Sequence, residues 1–194
     1  FITPIQLDLS GSVSADSFAD LTKIIETNQV AFGEYYTWSS YNPTTRKVIY
    51  TQKADKLTIM DGSSQIIFTI NANDQVVSYE QIFAGTVQVL GKERELITAK
   101  KAVEILYLGG RINSKATVQS VKLSYYQSLV LKDFSIYSPA WYIEIRQADG
   151  QLIARRVDAI HGTILANETL ETANTQTQRT TTNNTTTTQT VQQQ

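Results

Sequence analysis

The sequence predicts an α+β protein made of two similar units, each a helix packed on an antiparallel β-sheet meander, followed by a disordered C-terminal tail. Three observations carry that prediction. Two amphipathic helical segments each precede a run of short β-type segments rich in Ile, Val and Tyr. Turn dipeptides punctuate those runs at short intervals. The composition then changes abruptly: from Glu168 to Gln194, 21 of 27 residues are Thr, Asn or Gln, too few apolar groups to offset the entropy of ordering a chain. The corresponding divisions are residues 1–90, 91–167 and 168–194.

In the first unit an apolar alternation, ITPIQLDLS, leads to Ser14, a helix cap with Asp16 in the first turn. Phe18, Leu21, Ile24 and Ile25 follow on one helical face, and Asn28 is the stop. Five strand signals come next: VAFGEYYTW, RKVIYTQ, KLTIM, SQIIFTINA and QVVSYEQIF. Asn42-Pro43, Asp61-Gly62 and Asn73-Asp74 separate them and read as hairpin connections.

A second helix opens at Lys92, with Leu96, Ala99, Val103 and Leu106 on one side and Glu93, Arg94, Lys100, Lys101 and Glu104 on the other. Gly109-Gly110 stops it, since glycine enters the left-handed region without a Cβ penalty. The strand signals ATVQSVKLSYYQSLV, PAWYIEIRQ, QLIARRVDA and TILA complete the unit, and Asp149-Gly150 suits a type I′ hairpin turn. The units align by pattern: IIFTINAND from Ile66 overlays WYIEIRQAD from Trp141 at an offset of 75, with Ile70/Ile145 and Asp74/Asp149 identical.

Composition excludes several chemistries. The 194 residues include no Cys and a single His, which rules out disulfides, thiolate nucleophiles and Cys-based metal sites and leaves little for a His-rich one. Seventeen basic against 18 acidic side chains give no basic excess for nucleic acid. Without a run of about 18 apolar residues nothing here spans a bilayer as a helix, and no signal peptide is present. The chain begins at Phe1, not Met, which leads to the expectation that a segment precedes it.

No catalytic, cofactor or metal site is expected. His161, in AIHGTI, lacks a neighbouring nucleophile motif and reads as a turn residue. Glycoside hydrolysis needs two carboxylates across the bond, and Glu80, Glu144 and Asp158 lie on strand segments whose outward faces commonly carry acids. No P-loop occurs, and LGGRIN lacks dinucleotide-loop spacing. The candidate partner-binding residues are Tyr35, Tyr36, Trp38 and Tyr41. Tyr36 and Trp38 share one strand face and Tyr35 and Tyr41 the other if the strand is unbroken, and Tyr and Trp favour interfaces. Core packing is the ordinary alternative, for these and for Tyr125-Tyr126.

Tyr125-Tyr126, then SPAWYIEI, then a turn and VDAIHGTIL, resemble the closing segment of the YycI/YycH family, in which a Pro-x-Trp strand is followed by a Val-Asn-Ala-x-x-Gly-Glu-like hairpin. Pro139, Trp141, Val157, Ala159 and Gly162 carry the pattern, SYEQ at Ser78–Gln81 and the Gly109-Gly110 stop are similar, and coverage runs from about Ser64 to Ala166. Asp158 and Thr163 depart from it, standing where Asn and Glu are usual. The resemblance implies a non-enzymatic extracytoplasmic domain of a single-pass, membrane-anchored regulator in low-GC Gram-positive bacteria. Such a regulator acts, with a YycH-like partner, on the cell-wall sensor histidine kinase through a transmembrane helix absent from this chain. The alternatives are a secreted wall-glycan-binding or hydrolytic module, which requires a concave polar pocket or an aromatic platform, and a PepSY-like inhibitory module.

Overall fold

The structure, a computed structural model, describes residues 5–11, 13–27, 29–91 and 93–166. Asn28, Lys92 and the tail expected from Glu168 onward lie outside them. The described chain is mostly antiparallel β-sheet with two α-helices, α1 (Ala19–Glu26) and α2 (Ala99–Leu108). One sheet runs β1 (Ile5–Gln6), β6 (Gln75–Ile82), β5 (Gln65–Ile70), β3 (Lys47–Ala54), β2 (Tyr36–Asn42), with β4 (Leu57–Thr58) also on β3. The other runs β7 (Thr117–Val130), β8 (Ser135–Arg146), β9 (Leu152–Asp158).

Alternation decides which sheet face is covered. Val48 and Tyr50 of β3 and Ile66, Phe68 and Ile70 of β5 are buried, and they form one cluster with Phe18, Leu21 and Ile25. Ile24, expected on the same face, is only half-buried. In the second sheet Ile143, Ile145 and Val157 cluster with Ala102 and Leu106 of α2. Ile59 joins the sheets through a parallel bridge to Tyr125, and the Met60 N–H donates to the Tyr125 carbonyl at 3.0 Å.

Several elements depart from the sequence-based expectation. Val30–Tyr35 is not strand: Phe32 is left-handed at φ 58°, and Gly33–Tyr35 form a 3-10 turn. Gly33 is required there, because a Cβ would sit 1.8 Å from the Ile25 carbonyl oxygen. The Asp61-Gly62 connection is not a hairpin, since β4 and β5 both pair with β3 instead of with each other. Asp61 instead accepts from the Ser63 N–H at 2.9 Å and the Gln127 N–H of β7, so this loop fastens the two sheets together.

Helix α2 is capped by Thr98, whose hydroxyl oxygen accepts from the Lys101 N–H at 3.2 Å, so Leu96 precedes the helix. The two hairpin loops share a three-residue form, and only their last residue is left-handed: Asp74 at φ 60° and Gly150 at φ 87°. The Asp149-Gly150 turn is therefore a type I turn closed by a left-handed residue, not type I′. Ile66, Phe68 and Ile70 match Trp141, Ile143 and Ile145 at the offset of 75. The loop closures, Asn71 to Gln75 and Gln147 to Gln151, match at 76. The extra residue is Arg146 of β8; the first hairpin lacks a counterpart on β5, and β6 absorbs the difference as a bulge at Val77, between the partners of Thr69 and Ile70.

Candidate functional site

The four aromatic candidates belong to one neighbourhood. Tyr36 pairs with Gln52 and Trp38 with Tyr50. A bulge at Ser39 then shifts the ladder so that Tyr41 pairs with Val48. One extra residue reverses side-chain parity, which places Tyr41 on the face of Tyr36 and Trp38, not the opposite one. Trp38 stacks on Phe18 at 6.4 Å, Tyr41 meets Phe18 at 5.5 Å and Tyr35 meets Phe83 at 5.4 Å. Tyr36 is 2% exposed, and its hydroxyl donates to the Ile82 carbonyl at 2.8 Å.

Trp38 and Tyr41 also reach the surface. With Val13 and Pro43 they line a cleft of about 400 Å³ whose far wall is Lys122 of β7 and Glu144 of β8. The Trp38 indole N–H is buried and has no hydrogen-bond partner among the described residues. Glu144 accepts from the Ser120 hydroxyl at 2.5 Å. An aromatic wall faced by one cation and one carboxylate suits a polar ligand with a flat or ring-shaped apolar side.

The carboxylates do not make a hydrolase pair. Asp158 lies opposite Ala140 and Glu144 opposite Ala154 on the β8–β9 ladder. Four residues of strand separate them, about 13 Å at ~3.3 Å per residue, beyond the roughly 5–9.5 Å of a glycosidase pair. Glu80 is exposed on β6 in the other sheet. Among the described residues no group of three His, Asp or Glu side chains has metal-binding geometry.

Asp158 instead organises the final turn. One carboxylate oxygen accepts from the N–H groups of Ile160 at 2.8 Å and His161 at 2.7 Å, and the other accepts from the Tyr126 hydroxyl at 2.7 Å. Burial works to raise the Asp158 pKa, but these donors and the His161 ring, 3.2 Å away, together hold it below the usual carboxylate value. Burial and then the bond and charge of Asp158 push the Tyr126 phenol up to about 12. An Asn here, with its oxygen on the two N–H groups, would turn its amide toward Tyr126, so Asp and Asn serve the same turn.

Pro139, Trp141, Val157, Ala159 and Gly162 form one construction. The Trp141 indole N–H donates to the Ile97 carbonyl at 2.9 Å, the Ile97 N–H to the Ala159 carbonyl at 2.8 Å, and the Ala159 N–H to the Pro139 carbonyl at 2.9 Å. Val157 pairs with Trp141 across the ladder. Gly162 is left-handed at φ 69°, and a Cβ there would meet Ile105 of α2 at 3.1 Å. These residues clamp the start of α2 to the β8–β9 hairpin.

Sequence reasoning passed over Lys122 in the cleft wall and the backbone of Ile97 in the clamp. It also passed over Gln52, which shares strand parity with Val48 and Tyr50 and is fully buried, a signal legible in RKVIYTQ.

In this arrangement Pro139, Trp141, Val157, Ala159 and Gly162 maintain the architecture of the second sheet and α2. The chain belongs to the YycI family: the family profile described as YycI protein matches residues 1–160. That match reaches the first third of the chain, where the motif resemblance began only near Ser64, and it ends before Gly162. No curated protein matches the sequence. Membership assigns a regulatory role in the sensor-kinase system this family serves. Among the described residues no helix is long and apolar enough to cross a membrane.

Proposed function

We propose that the chain is the extracytoplasmic domain of a single-pass, membrane-anchored regulator that acts with a YycH-like partner on the cell-wall sensor histidine kinase, and that it is not an enzyme. The observation that carries this reading is the family match across residues 1–160. It agrees with the use of Pro139, Trp141, Ala159 and Gly162, which carry the family resemblance, in holding α2. A regulator of this kind changes kinase output only through contacts that differ between the kinase's active and inactive states. Of Tyr35, Tyr36, Trp38 and Tyr41, the edge offered to a partner is Trp38–Tyr41, which lines the cleft, whereas Tyr36 is buried and the half-buried Tyr35 packs on Phe83.

The test is co-purification of the full-length, membrane-inserted protein with the kinase and a YycH-like protein, with kinase autophosphorylation measured with and without it. A stable complex that alters autophosphorylation is expected. No association and unchanged phosphorylation would overturn the reading.

The Trp38–Tyr41–Lys122–Glu144 cleft favours a second reading, a wall-glycan-binding module. Glycan fragments that quench Trp fluorescence saturably, with the effect lost in Trp38→Phe, would establish it.

A further inference from the structure

Arg155 stands where an apolar residue is expected. On β9 it pairs with Ile143, while its neighbours Ile153 and Val157 pair with Ile145 and Trp141. All five of those residues belong to the apolar cluster under α2. The guanidinium is only partly compensated: Nη1 donates to the Ala154 carbonyl at 3.0 Å, whereas Nε is buried with no partner among the described residues. No carboxylate forms an ion pair with Arg155 or Arg111 among the described residues. Burial, and then the like charge of Arg111, lower the Arg155 pKa.

Both arginines are placed by backbone geometry. After α2, Gly110 turns left-handed at φ 66° and the Arg111 N–H returns to the Leu106 carbonyl at 2.8 Å. The Asn113 side-chain amide donates to the Gln147 side-chain oxygen at 3.0 Å, tying the following loop to the β8–β9 turn. Between loop and turn lies a cleft of about 500 Å³ lined by Arg155, Asn113, Ser114, Gln147 and Ile153, with Asp149 as its one acid. Asp149 is engaged in its own turn, accepting from the Gln151 N–H at 2.9 Å.

A guanidinium set in an apolar face, with its Nε buried and unpartnered and no counter-charge, is a costly arrangement that a bound oxyanion would relieve. A tetrahedral phosphate offers the several acceptor oxygens that a planar guanidinium fork matches. We propose that this cleft binds a phosphate ester group, with Arg155 as its anchoring residue and Ser114 as a neutral donor, and with the exposed Arg111, outside the lining, adding positive charge from nearby. The phosphate comes either from a soluble ester or from a lipid headgroup. This site lies on the opposite face of the second sheet from Glu144 and is independent of the partner reading above.

The experiment is an NMR titration of the 194-residue chain, reading arginine Nε–Hε and backbone amide signals. The probes are inorganic phosphate and glycerol phosphate, with sodium chloride at matched ionic strength as control. Saturable shifts at Arg155, Asn113 and Ser114 are expected. Because charged hydrogen bonds are worth about 1.5–3 kcal/mol, Arg155→Gln should weaken binding about tenfold or more. Arg111→Gln, an exposed change that leaves the fold intact, should weaken it severalfold, and Lys122→Gln should have no effect. A second arm uses vesicles of phosphatidylglycerol and of phosphatidylcholine: Arg111-dependent binding to the former alone identifies a headgroup, and shifts with soluble esters alone identify a soluble ligand. Shifts that never saturate and equal those with chloride, or affinities unchanged in Arg111→Gln and in a folded Arg155→Gln, would overturn the proposal.

Discussion

Trp141 donates its indole N–H to the carbonyl of Ile97 at 2.9 Å, and so fixes the residue before the Thr98 cap to the middle of the second sheet. The N–H of the same residue, Ile97, donates to the Ala159 carbonyl, and the Ala159 N–H donates to the Pro139 carbonyl. Removing the indole donor leaves a carbonyl short of a partner, at a cost of about 1–2 kcal/mol. Trp141→Phe is therefore expected to lower the melting temperature by a few degrees. Hydrogen exchange at the first turn of α2 should accelerate more than in β3. Equal protection in both would show that packing alone holds the helix.

Gly33 lets the 3-10 turn approach the end of α1 closely. With a Cβ only 1.8 Å from the Ile25 carbonyl oxygen, Gly33→Ala must displace either α1 or the turn at Phe32. Overpacking of this severity costs about 3 kcal/mol, and urea denaturation should register it as a lower midpoint. An unchanged midpoint would mean that the 3-10 turn relaxes freely.

Gly33 and Tyr41 show where a sequence stops being legible. Periodicity exposed α1, the end of α2, the order of the strands along the chain and the Asn73-Asp74 and Asp149-Gly150 hairpins, because each is set by neighbours within a few residues. It missed the turn at Val30–Tyr35, since VAFGEYYTW has strand composition throughout and only contact with Ile25, across the helix end, demands the bend. It could not place Tyr41, because the bulge at Ser39 is defined by pairing with β3 and has no local signature. The cleft behind Trp38 was equally hidden: its walls come from β2 and from β7 and β8, roughly 80 to 100 residues later, joined by the Asp61 loop.

Gln52 is fully buried at the end of β3 and holds the segment that leaves β6. Its side-chain amide donates to the Gly85 carbonyl at 2.8 Å, and its oxygen accepts from the Ser64 hydroxyl and from the Ala84 N–H at 3.0 Å. Gln52→Leu keeps the volume but leaves the Gly85 carbonyl unpaired, a loss of about 2 kcal/mol. Amides near Ala84 should become less protected, while those of β8 should not. If both change alike, Gln52 contributes only to global stability.

Asp158 predicts how the fold responds to acid. Its folded pKa lies below the ordinary 3.8, so its stabilisation is present above about pH 4 and is lost as pH falls through the folded value. Asp158→Asn preserves the turn and removes this proton uptake, and should flatten the dependence of stability on pH below about 4. An acid limb identical in the wild type and Asp158→Asn would exclude the role.

At alkaline pH the sign reverses in origin but again costs stability. Burial first, then neighbouring groups, raise Tyr50, Tyr126 and Tyr142 from 10.0 to about 12. A phenol whose folded pKa is raised stabilises the fold fully below pH 10, and that stabilisation is lost as pH climbs through about 12. Of the ten tyrosines, these three should therefore ionise late, as a separate step in tyrosinate absorbance that coincides with loss of the far-ultraviolet sheet signal. Burial likewise raises Tyr36 and Tyr137, which broadens the step on its low side. Tyr126→Phe should shrink the late step by about one phenol and also lower stability at neutral pH, because Asp158 loses its bond at 2.7 Å. A single titration of all ten near pH 10 in a protein that stays folded would contradict the burial of these side chains.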